Sequence, residues 1–167
     1  DEAVYAKGRE NFDRLIEEGY LKQEEKPCYY LYRQVMGQHA QIGLVAVASC
    51  QEYDDGIVKK HEFTRPDKEN DRVKHMEALD AQTGPVFLTY PANVSLDGLF
   101  AEITNAEPEI DFVGKDDVRH SSWTISSHET IQTIEEQFRA IPTLYIADGH
   151  HRSAAASRVA AARGDAN

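Results

Sequence analysis

Thr143-Leu144-Tyr145-Ile146-Ala147-Asp148-Gly149-His150-His151-Arg152 is the stretch that decides how the chain reads. Leu144 to Ala147 has the apolar and aromatic character of a short buried strand. Asp148-Gly149 is a turn signal. Beyond it Ala154, Ala155, Ala156, Ala160, Ala161 and Ala162 follow in close succession. Alanine is the best helix former, so a helix is predicted whose first turn carries His150, His151 and Arg152. A strand that enters a helix through such a turn leaves backbone N–H groups unpartnered at the positive end of the helix dipole, which is an anion site. Gly149 lets a ligand approach the backbone closely. Arg152 adds a planar, two-pronged grip on phosphate or carboxylate. The plainer alternative is an N-cap Asp148 followed by solvated polar residues, and the whole run Asp148 to Arg152 favours the anion site over it.

The chain has 167 residues, 41% of them hydrophobic and 28% charged, which suits one well-buried globular domain. No apolar run approaches the length of a membrane span. The two cysteines, Cys28 and Cys50, cannot build a disulfide framework and sit beside strand patterns, so a reduced, cytoplasmic setting is expected. The net charge of -11 and the lack of a helix-turn-helix signal argue against nucleic acid and membrane surfaces as partners. A local basic pocket is still compatible with that charge.

Residues 1–18 read as a helix closed by Gly19. Leu21 to Gln23 could make a short strand. Cys28 to Val35 and Ile42 to Ala48 read as an antiparallel hairpin with the second strand central, and the tyrosines of the first are expected to pack rather than to stack on bases. Ala48 to Gly56 connects. Lys59 to His75 is the most charged stretch, with six basic residues against four acidic ones in an acidic protein. Pro66 fits the first turn of a helix, on which Lys68, Arg72 and His75 share one face beside the apolar Val73, Met76 and Leu79. By composition alone that stripe could be a solvated face or a cleft wall. Val86 to Tyr90 reads as a strand, Ser95 as the cap of a helix with Leu96, Leu99, Phe100 and Ile103, and Ile110–Val113 and Val118–Ile125 as two strands. Ser126 and Glu129 suggest a capping box for a helix carrying Ile131, Ile134 and Phe138. Mixed hairpins and helix–strand units give an α+β fold, a mixed sheet with flanking helices. None of the seven histidines falls in a zinc-binding spacing, so no metal site is assigned.

Two resemblances bear on function. Asp148-Gly149-His150-His151-Arg152 resembles the ParB/sulfiredoxin superfamily, in which a Gly-x-x-Arg turn holds phosphate at a helix start; that resemblance implies a ParB/sulfiredoxin-like core. The turn lacks the cysteine that sulfiredoxin chemistry needs, which removes that activity. Over nearly the whole chain, Tyr32-Arg33-Gln34, Gln41 to Ala46, Lys59-Lys60-His61-Glu62-Phe63-Thr64-Arg65-Pro66-Asp67-Lys68-Glu69 and Ala81 to Phe87 resemble the family catalogued as domain of unknown function 1015. Its members extend beyond this chain, so residues 1–167 are expected to be one α+β domain cut from a longer protein.

The resemblances, with that of the free-serine kinase branch, imply nucleotide- or phosphate-dependent phosphoryl transfer to or from a small hydroxy amino acid, serine or phosphoserine. ATP or ADP and Mg²⁺ are the implied cofactors, and a small phosphorylated molecule the partner. Such enzymes act by positioning and by neutralising charge. On this reading Gly149, His151 and Arg152 bind phosphate, with Lys60, Arg65, Lys68 and Arg72 neutralising further charge. Glu62, or else Asp148, orients or deprotonates the acceptor hydroxyl or holds Mg²⁺. His150 would donate a proton to a leaving group, and His61, Thr64 and His75 would contact substrate. The alternatives are a ParB-like nucleotide switch and a non-catalytic sensor of a phosphorylated metabolite.

Overall fold

The computed structural model describes residues 2–164. Along the chain run α1 (Glu2–Glu17), β1 (Tyr29–Met36), β2 (His39–Val45), α2 (Cys50–Asp54), β3 (Val58–Lys59), α3 (Pro66–Leu79), β4 (Phe87–Thr89), α4 (Val94–Ile103), β5 (Ile110–Val113), β6 (Arg119–Ile125), α5 (His128–Arg139), β7 (Leu144–Asp148) and α6 (His150–Arg163). The fold is α+β, with one mixed and one antiparallel sheet flanked by helices. None of the described helices is long and apolar enough to cross a membrane. Contacts group the described residues into two compact units.

The first unit comprises the residues up to Gln23, Ala48–Tyr90 and those from Pro142 onward. Its sheet has the order β3-β7-β4, with β7 in the centre, parallel to β3 and antiparallel to β4. The central strand follows from the sequence around Ile146, which is 1% exposed. Burying such a side chain stabilises by roughly 1.5–3 kcal/mol. The strand is less buried than expected: Tyr145, on the opposite face, is half exposed. Helix α6 packs on α3, and α3 on α1. Ala154 and Ala155 are buried, and their small side chains suit a closely approaching α6. Arg158 of α6 reaches the Glu69 carboxylate at 3.2 Å and Asn70 at 2.8 Å on α3, fixing the two helices beside one another. Asp1, part of the helix expected over 1–18, lies outside the described residues. The strand expected at Leu21–Gln23 does not form. The connecting segment after Ala48 contains the short helix α2, capped by Ser49, whose hydroxyl accepts from the Glu52 N–H.

The second unit holds residues 24–47 and 91–141. Its antiparallel sheet runs β2-β1-β6-β5. Here β2 is an edge strand and β1 is central, the reverse of the expected hairpin. The cause is β6, which pairs with β1 over Tyr29↔Ile125 to Val35↔Arg119 and takes its second edge. Leu31, Trp123 and Ile125 are buried on the sheet, as are Leu96, Phe100 and Ile134 on the helices. The tyrosines do pack and pair: the Tyr32 hydroxyl lies 2.6 Å from His120 Nδ1, and His120 stacks on Phe112 with ring centres 4.9 Å apart. Two caps fall elsewhere than expected. Asn93, not Ser95, caps α4 by accepting from the Leu96 N–H, and Ser127, not Ser126, caps α5 by accepting from Thr130. In each case two cap-forming side chains lie close together in sequence, and the residue directly before the helix takes the role.

An acid-side prediction arises in this unit. Hydrogen bonds from Arg119, then Ser121, pull the Asp111 carboxyl from 3.8 down to about 2. A folded-state value below the unfolded one stabilises the fold above about pH 4, and that contribution disappears as pH falls toward 2. Asp111→Asn should therefore flatten the acid limb of stability against pH. Thermal unfolding of both proteins between about pH 5 and pH 2 checks it; parallel curves would show that the pair does not contribute.

Candidate functional site

Everything in this site belongs to the first unit. Strand β7 ends at Asp148, and Gly149 turns the chain with φ 100°, a backbone conformation that side-chain-bearing residues rarely adopt. Helix α6 then begins at His150. Gly149 has no side chain with which to cap the helix, and the N–H groups of its first turn have no side-chain cap. The turn opens on a recess of about 180 Å³ lined by Glu62, Lys68, Arg72 and the run Asp148, Gly149, His150, His151 and Arg152. The expected encounter between the charged stretch and the glycine turn thus takes place. Lys68 and Arg72 reach the recess from one face of α3, as their i, i+4 spacing requires.

Arg152 is the most constrained cation of the group. Its guanidinium donates to Asp148 at 2.5 Å and to the Pro85 carbonyl. Two glycines make room for it. A Cβ on Gly84 would come within 3.2 Å of Arg152 Cδ, and one on Gly149 within 3.1 Å of Arg152 Nε. Asp148 is thereby the partner that aims Arg152, a geometry that leaves Glu62 as the carboxylate of the recess without an arginine on it. Lys68 forms no ion pair among the described residues.

The histidines take roles that sequence reasoning missed. His150 is 5% exposed, and its Nε2 accepts from the His61 N–H at 3.4 Å. The Nδ1 of His150 stands 3.6 Å from Glu62 Oε2. Burial, then the neighbouring His61, holds the His150 imidazole below its ordinary pKa, against an opposing pull from Glu62. The His61 and His150 rings meet edge to face with centres 4.3 Å apart. His151 Nε2 accepts from the Arg65 N–H at 3.1 Å. The adjacent histidines, which must diverge on a helix, therefore fasten the two ends of the 61–65 segment onto the start of α6.

Several expected ligand contacts turn elsewhere. Lys60 places its ammonium 3.5 Å from the centre of the Tyr53 ring, and Arg65 pairs with Asp67 at 2.7 Å; neither lines the recess. The Thr64 hydroxyl donates to the Glu69 carboxylate. His75 lines a second recess of about 120 Å³ with Met76, Ala81, Gln82, Thr83 and Gly84, adjoining the first through Arg72 and Arg152. No local signal had marked Gln82 or Thr83 for a role.

The fold and site define an α+β protein whose mixed sheet delivers a glycine turn and a helix start into a small basic recess. The chain belongs to the family described as protein of unknown function (DUF1015), whose model matches residues 1–167. No curated protein and no solved structure matches it.

Proposed function

We propose that this protein is a phosphoryl-transfer enzyme that moves a phosphate between a nucleotide, ATP or ADP, and a small hydroxy amino acid of the serine/phosphoserine class. The observation that carries the reading is the meeting of a helix start, Arg152, Lys68, Arg72 and Glu62, a carboxylate with no arginine on it, around a single recess. Phosphoryl transfer needs cations around the transferred group and an acceptor-orienting base, and little else from the protein. In the forward direction the serine hydroxyl oxygen attacks the terminal phosphorus. A new O–P bond forms while the bridging O–P bond breaks, the electron pair leaves with the shortened nucleotide, and the hydroxyl proton passes to Glu62. Lys68, Arg72, Arg152 and the N–H groups of Gly149 to Arg152 meet the negative charge. The amino acid as acceptor, and a ParB/sulfiredoxin-like core around β7 and α6, are drawn from the resemblance of Asp148-Gly149-His150-His151-Arg152 to that superfamily.

One observation favours a second reading, a nucleotide-dependent switch. His150 and His151 tie the 61–65 backbone to the ligand-facing turn, so an anion bound there would be felt directly in that segment. Incubating the full chain with ATP or ADP and serine, followed by phosphorus NMR, separates the two. Phosphoserine formed in step with nucleotide loss supports the enzyme. Nucleotide binding by calorimetry without turnover selects the switch, and binding of phosphoserine alone selects a sensor.

A further inference from the structure

His61, Glu62 and His150 are brought together across the first unit, and one donor atom from each lies within 4.8 Å of the others. We propose that these three side chains hold a divalent metal ion of the zinc and cobalt class, at the edge of the basic recess. The inference stands apart from phosphoryl transfer, since it needs only the donors and their spacing.

Two imidazoles and a carboxylate are the ligand set of open metal centres, which keep a coordination position for water or substrate. With bonds of about 2.1 Å, tetrahedral donors stand roughly 3.4 Å apart. The His150 Nδ1 to Glu62 Oε2 separation of 3.6 Å is already close to that. His61 is exposed, so its ring can close the remaining gap by side-chain rotation. His150 is fixed by burial and gives the site a rigid anchor. Coordination at Nδ1 gives up the bond from the His61 N–H, which at 3.4 Å is long and weak. Imidazole nitrogen suits these ions, whereas magnesium asks for six oxygens and would find one carboxylate here. Glu62 and His150 also line the recess, so the open position of the ion faces the anion site.

The test is calorimetry of the untagged full chain, stripped with chelator, titrated with Zn²⁺ and separately with Mg²⁺, in the absence of phosphate. One Zn²⁺ per chain is expected, bound at least a hundredfold more tightly than Mg²⁺. His61→Ala and Glu62→Gln each alter an exposed side chain, and each should weaken Zn²⁺ at least tenfold. Arg152→Ala should leave Zn²⁺ affinity unchanged even if it abolishes phosphate binding, which separates the fate of the metal site from that of the phosphate site. Absence of a one-to-one Zn²⁺ site, a preference for Mg²⁺, or equal Zn²⁺ affinity in the His61→Ala/Glu62→Gln double variant overturns the proposal.

Discussion

Glu62→Gln is expected to leave binding of a phosphorylated ligand nearly intact and to lower turnover by about 10²–10⁴-fold, the usual contribution of a general base. The substitution keeps the side chain's shape and some of its hydrogen bonding, and removes its ability to take a proton at neutral pH. Glu62 is largely exposed and carries no arginine, so its loss frees no buried partner other than the flank of His150. The cations that meet ligand charge, Lys68, Arg72 and Arg152, are untouched. Binding should therefore persist while the chemical step fails. Calorimetry with phosphoserine and with nucleotide, set beside a phosphate-transfer assay, measures both. If binding and turnover fell together, Glu62 would be a holding partner of His150 rather than a participant in the reaction. The same variant titrated with Zn²⁺ tells a direct role in proton transfer from one exerted through a cation.

What could be read from sequence follows how local the cause is. The turn at Gly149 was legible because a β-favouring run, a glycine and an alanine-rich run each act on a few residues. The shared face of Lys68 and Arg72 was legible because helical spacing alone sets it. Charge without a direction misled: Lys60 and Arg65 belong to the same basic run, yet one turns onto Tyr53 and the other onto Asp67. The tasks of His150 and His151 depend on acceptors and donors 86 and 89 residues apart, which no spacing rule carries. The His61/Glu62/His150 cluster was hidden for the same reason. So was the edge position of β2, decided by β6 arriving much later in the chain.

Arg152→Ala is expected to weaken binding of a phosphorylated ligand roughly tenfold to a hundredfold, the loss of one charge-assisted pair of about 1.5–3 kcal/mol. The side chain lines both recesses and is aimed by Asp148, so its loss removes a cation already in place rather than one recruited on binding. Arg152→Lys keeps the charge but not the planar fork and should recover only part of the affinity. Gly149→Ala attacks the same cation by another route. The new Cβ would sit in a backbone conformation with φ 100° and within 3.1 Å of Arg152 Nε, so it both strains the turn and pushes the guanidinium aside. Its effect on phosphate affinity should therefore approach that of Arg152→Ala, although no charge has been removed. Circular dichroism of each variant establishes that α6 is still formed, and calorimetry with inorganic phosphate and with phosphoserine gives the affinities. Wild-type affinity in both Arg152→Ala and Gly149→Ala would show that the glycine turn does not hold phosphate, and with that the strand–turn–helix unit would lose its part in the proposed reaction. Weak binding in Gly149→Ala beside normal binding in Arg152→Ala would instead assign the anion to the backbone N–H groups of the helix start, with the arginine serving to shape the turn.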